Sequence, residues 1–143
     1  MTPPNRWLHS DASPQDAAHG TRNVFPAHRV LVIDDNPDVA KSQAWLLGML
    51  GQTVQQANDG PTALRMAARF MPDIVFVDLV MSGMDGLEVA WRLREIEGLE
   101  ACKIVALTGY GQKTFPDASS KTGFDGYITK PASTIDFAEF LKS

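Results

Sequence analysis

Three short, uninterrupted apolar runs rich in β-branched residues constrain this chain more than any other feature: residues 30–33 (VLVI), 74–77 (IVFV) and 104–107 (IVAL). Runs of this kind suit parallel strands covered on both faces. Two more polar segments, 53–57 and 127–129, suit the edges of the same sheet. Segments of helical length with recognisable ends lie between the strands. Asn36 caps a helix whose first residue is Pro37, where a missing N–H costs nothing, and Gly51 closes it. Residues 59–71 carry Leu64, Ala67 and Met71 at helical spacing, and Pro72 forbids continuation. Asp85 followed by Glu88 opens a helix expected to run through Glu97, and residues 135–141 form a short closing helix. The order is strand then helix five times. Right-handed crossovers then make one doubly wound parallel α/β sheet with helices on both faces.

The remaining composition narrows the function. At 143 residues there is room for one domain, large enough to bury a core without a metal or disulfide staple. The lone Cys102, beside an apolar run, reads as a small core hydrophobe and fits a reducing cytoplasm. Thirteen basic against seventeen acidic side chains give a net charge of −4 with no basic block, so direct nucleic-acid binding is not expected. The longest apolar stretch, residues 44–50, is far below the roughly 20 residues of a membrane span, and no signal-peptide segment opens the chain. A soluble cytoplasmic protein with no membrane partner is expected. Residues 1–27 hold four of the nine prolines and no helical or strand period; they read as a flexible tail preceding a domain over 28–143.

A sheet of this kind places its chemistry outside the carboxyl ends of its strands, where the winding reverses. Asp34 and Asp35 end the first strand, Asp78 the third and Thr108 the fourth, and Lys130 follows the fifth. Two carboxylates roughly 4 to 5 Å apart repel by about 3 to 4 kcal/mol at an effective dielectric of about 20, so three together call for a cation. Carboxylate oxygens without His or Cys favour Mg²⁺, or Mn²⁺. His9, His19 and His28 all lie at or before the first strand and read as solvated loop residues. With a metal on two acids, the third is available as a nucleophile toward phosphorus, with an ammonium and a hydroxyl to neutralise the phosphoryl oxygens. Asp78, Lys130 and Thr108 fit those three roles. Singly, an Asp at a strand end is commonly a cap, a Thr a turn residue and a Lys a solvated charge; their joint occurrence argues for a site.

The segments VLVIDD (30–35), VDLVMSGMDG (77–86), ALTGYG (106–111) and GFDGYITKP (123–131) resemble the receiver domain of two-component response regulators, over about residues 28–143. The resemblance implies a flavodoxin-like sheet with strand order 2-1-3-4-5. It implies that Asp78 accepts a phosphoryl group from a phosphohistidine of a histidine kinase or phosphotransfer domain, and that the chain is a switch controlling a downstream partner rather than an enzyme. Asp34, Asp35, Asp78 and the Val80 backbone carbonyl match the family's Mg²⁺ ligands, with Asp35 the more direct ligand of the pair. Thr108 matches the switch hydroxyl, Tyr127 the aromatic that follows it, and Lys130 the lysine of a Lys-Pro motif whose bond to Pro131 is a candidate cis peptide.

Two other readings share these residues. An aspartyl-phosphate hydrolase on a similar sheet would have a second acid where Val80 stands. An interaction module that is never phosphorylated would not need all five pocket residues. The sequence also departs from the family: Ser82, followed by Gly83, occupies a position that is commonly proline, implying a more mobile loop. Residues 113–122, where a fourth helix is expected, contain Pro116, Ser119 and Ser120, implying a short or poorly ordered helix. Val80 and Tyr110 are placed to shield a phosphoryl group from water. The chain stops after the last helix, as a stand-alone regulator or a receiver from a larger protein would, and the wording ALTGYGQ resembles receivers of hybrid kinases.

Overall fold

The computed structural model describes residues 24–109 and 123–142. Five strands, β1 (Arg29–Ile33), β2 (Thr53–Ala57), β3 (Ile74–Asp78), β4 (Lys103–Thr108) and β5 (Gly126–Thr129), form one sheet in the order β2-β1-β3-β4-β5. All four pairings are parallel. The three apolar runs are the central strands and the two polar segments are the edges, as their patterning requires: every residue of β3 is buried, whereas β2 alternates.

Four helices are described: α1 (Pro37–Met49), α2 (Gly60–Phe70), α3 (Gly86–Arg94) and α4 (Thr134–Leu141). Each begins where a short polar side chain satisfies otherwise orphaned N–H groups. Asn36 accepts from the Asp38 and Val39 amides at 3.0 and 3.3 Å, Asp59 from Thr62 at 2.7 Å, and Asp85 from Glu88 at 3.0 Å. Ser133 and Asp136 close a full capping box on α4, starting that helix one residue earlier than the sequence reading. The helix expected to reach Glu97 stops at Arg94. Its last turn tightens, with the Glu95 and Ile96 amides bonding back to Arg92 and Leu93 at 3.1 Å, and Gly98 at φ +96° turns the chain away. The helix expected between β4 and β5, over 113–122, lies outside the described residues, as does the tail over 1–23. Of the segment assigned to the tail, Phe25 packs on the core and the Pro26 carbonyl accepts from Gln52.

Two apolar layers cover the sheet. Leu31, Ile33, Val75, Val77, Ile104 and Ala106 face α2 and α3, while Val30, Val32, Ile74, Phe76, Val105 and Leu107 face α1 and α4. In the second layer the fully buried rings of Phe76 and Phe137 meet edge to face at 4.9 Å. Cys102 belongs to the first layer; burial pushes its thiol up to about 12, so it packs as a neutral group. No helix among the described residues is long and apolar enough to cross a membrane.

Candidate functional site

Parallel pairing sets the carboxyl ends of β1, β3, β4 and β5 along one rim, so residues distant in sequence meet there. Asp34 and Asp35 follow β1 at the point where the chain winds in opposite directions to β2 and β3, and Asp78 is the last residue of β3. One carboxylate oxygen from each of the three lies within 4.8 Å of the others. Their environments differ. Asp34 is fully buried, its Oδ1 accepting from the Asn36 amide at 2.9 Å. Its backbone is held as well, since the Asn58 side chain donates to the Asp34 carbonyl at 2.9 Å. Asp35 is exposed, with only the Ser82 amide among the described residues on its Oδ2, at 3.4 Å. Asp78 is 7% exposed and accepts from the Val80 amide at 3.2 Å.

Lys130 enters from the end of β5. Its ammonium is 3.0 Å from Asp34 and 3.5 Å from Asp78, bridging the first and third strands. Burial works against that ammonium, but the hydrogen bond to Asp34 and the charges of Asp78 and Asp34 outweigh it, so its pKa is raised. One cation among three acids leaves an excess of negative charge. Burial raises the Asp78 carboxyl; the Lys130 charge opposes this and the Asp34 charge adds to it. The Lys130–Pro131 bond is cis, matching the sequence reading.

Thr108 ends β4 on the α2/α3 side of the sheet and is fully buried, yet its hydroxyl has no hydrogen-bond partner among the described residues. A buried polar group without a partner calls for an explanation, and Thr108 is tied to the rim by the Lys130 amide on its carbonyl at 2.7 Å. Tyr127 stands beside Ala106, one pleat below Thr108 on the same side, half-buried and edge to face with Phe124 at 5.7 Å. Val80 is 67% exposed, past the end of β3; Tyr110 lies outside the described residues.

The sequence reading therefore brought Asp34, Asp35, Asp78, Thr108 and Lys130 to one place, but it did not single out Asn58 or Gly86. A Cβ on Gly86 would lie 2.5 Å from the Asp78 carbonyl and 2.9 Å from the Leu79 Cα. Only glycine lets the start of α3 approach the acidic strand end so closely, with its amide 3.1 Å from the Leu79 carbonyl. Asp85-Gly86, a cap followed by glycine, was the available signal.

The donor set suits a hard divalent cation. Asp34 is already engaged by Lys130 and by a backbone amide, while Asp35 and Asp78 face each other with oxygens in excess of their donors.

A five-stranded parallel sheet in this order, with three carboxylates and a lysine gathered at its switch point, is a flavodoxin-like fold with its polar groups at one rim. The chain belongs to the response regulator receiver domain family, whose model matches residues 30–142. It is 36% identical over 113 residues to RpaA of Synechocystis sp., described as a DNA-binding dual master transcriptional regulator, covering 79% of this chain and 46% of that protein. Among solved structures, the CheY-like receiver domain from Methylobacillus flagellatus superposes with a TM-score of 0.73 at 27% identity, over 81% of this chain and 97% of that one. The receiver domain of the sensor histidine kinase PA1611 from Pseudomonas aeruginosa, solved with a magnesium ion coordinated in its active-site cleft, has a TM-score of 0.71 at 25% identity, over 81% and 95%. The chain spans about half or less of the length of RpaA, of the Mycobacterium leprae regulator MprA and of the Caulobacter regulator PleD. Receiver domains are two-component signalling domains that partner with histidine kinases and regulate outputs, and the acidic cluster fits Mg²⁺ binding.

Proposed function

We propose that this chain accepts a phosphoryl group on Asp78 from a phosphohistidine of a histidine kinase or histidine phosphotransfer domain, and that the modified form controls a partner protein. The observation that carries this reading is the convergence of Asp34, Asp35, Asp78 and Lys130 at the rim where β4 ends in Thr108, whose buried hydroxyl has no partner among the described residues. An Asp78 carboxylate oxygen attacks phosphorus, the P–N bond to the donor imidazole breaks, and the histidine leaves as a neutral ring after taking up a proton. Asp35, Asp78 and the Val80 carbonyl, with Asp34 behind them, would hold Mg²⁺, or Mn²⁺. When bound, the cation screens the acids and the phosphoryl oxygens from one another.

Lys130 is already directed at Asp78 and can follow a phosphoryl oxygen with a short movement. Thr108 gains its missing partner only when that oxygen arrives, so modification favours conformers in which β4 presents its hydroxyl. Tyr127, next to β4 on the same side, transmits the shift toward the surface of strands four and five. The domain acts on itself and turns over no separate substrate.

Incubation with acetyl phosphate and Mg²⁺ followed by intact-mass measurement tests the reading. A single phosphoryl adduct on the wild type, absent from Asp78→Asn and from magnesium-free samples, is the expected result. An unmodified wild type, or steady phosphate release without adduct, overturns it. Val80→Asn is expected to lose the adduct severalfold faster by exposing it to water, a difference the same mass measurement follows in time.

A further inference from the structure

At the opposite end of the sheet, about 16 Å from the acidic cluster at roughly 3.3 Å per strand residue, a second charged region stands apart from the phosphoryl chemistry. The flank of α2 stands off from edge strand β2 and leaves an open groove of about 660 Å³ lined by Arg29, Gln55, Met66, Arg69, Phe70 and Met71. Its floor is apolar and half-buried, and its rim is cationic. Arg29 spends its Nε on the Met71 carbonyl at 3.0 Å, and neither Arg29 nor Arg69 pairs with a carboxylate among the described residues. Arg65, one turn before Arg69, extends the cationic strip along the exposed side of α2.

The turn after α3 carries the opposite charge and lies next to this groove. Met71, at the groove's end, packs so closely on Gly98 that a Cβ there would be 2.5 Å from its methyl, and φ +96° at Gly98 admits that approach. Glu95 and Glu97 precede Gly98; both are exposed, and neither has an ion-pair partner among the described residues. The unpaired cationic groove and the turn that carries Glu97 thus meet where Met71 packs on Gly98. A two-fold axis near Met71 would set each groove against the other copy's acidic turn, the self-complementary arrangement that an isologous dimer requires.

We propose that this surface binds a second copy of the chain, with Arg29 and Arg69 of each copy facing Glu97 of the other over the Met66–Phe70–Met71 floor. The net charge of −4 and the absence of a basic block disfavour nucleic acid as the occupant. The contact leaves the phosphoryl site open, because it uses the opposite rim.

Sedimentation velocity of the full chain from micromolar to near-millimolar concentration tests this. A monomer–dimer equilibrium is expected at low ionic strength, weakening as salt screens the charges. Arg69→Glu and Glu97→Arg should each raise the dimer dissociation constant about tenfold or more, since reversal converts two symmetric attractions into repulsions. The decisive measurement mixes the two variants: each self-repels, but one of each restores both contacts, so the mixture should dimerise near the wild-type constant. Circular dichroism melts of each variant matching the wild type exclude misfolding as the cause. A wild type that stays monomeric throughout, a dimer insensitive to both reversals, a mixture no tighter than its parts, or a monomer whose groove binds only an added acidic peptide would each overturn the proposal.

Discussion

At the amino-terminal rim of the sheet, Asp73 and Asp125 each accept from the backbone of a neighbouring strand, whereas at the carboxyl-terminal rim Asp34, Asp35 and Asp78 crowd one another. Asp73 bonds the Arg29 amide at 2.8 Å while its own N–H and C=O pair with Arg29 and Lys103. Asp125 accepts from the Ile104 amide and from Arg94, both at 2.7 Å. These carboxylates staple adjacent strands and have their donors in place. At the other rim Asp34 and Asp78 share Lys130, the three acids have a few backbone amides between them, and the buried Thr108 hydroxyl has no partner among the described residues. The same side chain therefore stabilises the fold at one end and burdens it at the other.

The sharpest way to test the contrast is to remove one acid from each rim. Asp125→Ala strands the Ile104 amide and unpairs Arg94, and should cost about 2 to 3 kcal/mol in urea denaturation. Next in size is Gly86→Ala, which drives a methyl into the Asp78–Leu79 backbone; a loss of about 2 kcal/mol is expected, with weaker Mg²⁺ binding by calorimetry because the rim is pushed apart.

Asp78→Asn should act with the opposite sign, stabilising the metal-free protein because it removes a carboxylate whose charged form burial and Asp34 disfavour. Its pH dependence follows from the raised pKa. The native carboxyl holds its proton more tightly than the unfolded one, so its contribution is fully present below the ordinary carboxylate value and lost as pH rises through the raised value. The variant's advantage should grow from acid toward neutral pH in thermal melts and shrink when Mg²⁺ is added to the wild type. A variant less stable than the wild type at neutral pH would break the comparison.

The smallest effect belongs to an acid that is a member of neither cluster. Asp59 caps α2, and its hydrogen bonds to Thr62 hold its carboxyl below the usual value. Asp59→Ala should cost about 1 kcal/mol above the ordinary carboxylate pKa, and the cost should vanish as pH falls through the lowered native value. That is the reverse of the trend at Asp78.

Much of this was legible without coordinates because it is local. An apolar β-branched run buries on both faces wherever it is placed, so 30–33, 74–77 and 104–107 had to be interior strands, and Asp34, Asp35, Asp78 and Thr108 had to fall at their ends. Asn36 and Asp85 announced helix starts because a cap bonds amides two or three residues away. The end of α3 was misjudged by three residues, since its last turn is decided by weak bonds that compete with a glycine turn.

The rest depends on atoms brought together across the chain. Nothing near Lys130 in sequence reveals that its ammonium settles on Asp34, 96 residues away, before any phosphoryl group is present. Nor does any local pattern separate Asp73 and Asp125, which have their donors in place, from the crowded acids of the other rim, because those donors sit on other strands. By itself, then, the order of apolar and polar residues determined the sheet, its edges and which end carries chemistry, through the period of burial and the reach of a cap. Only the tertiary structure decided which carboxylates are satisfied and which are left in excess. That balance is set by desolvation and by charges converging from separate strands, and neither is a property of any one segment.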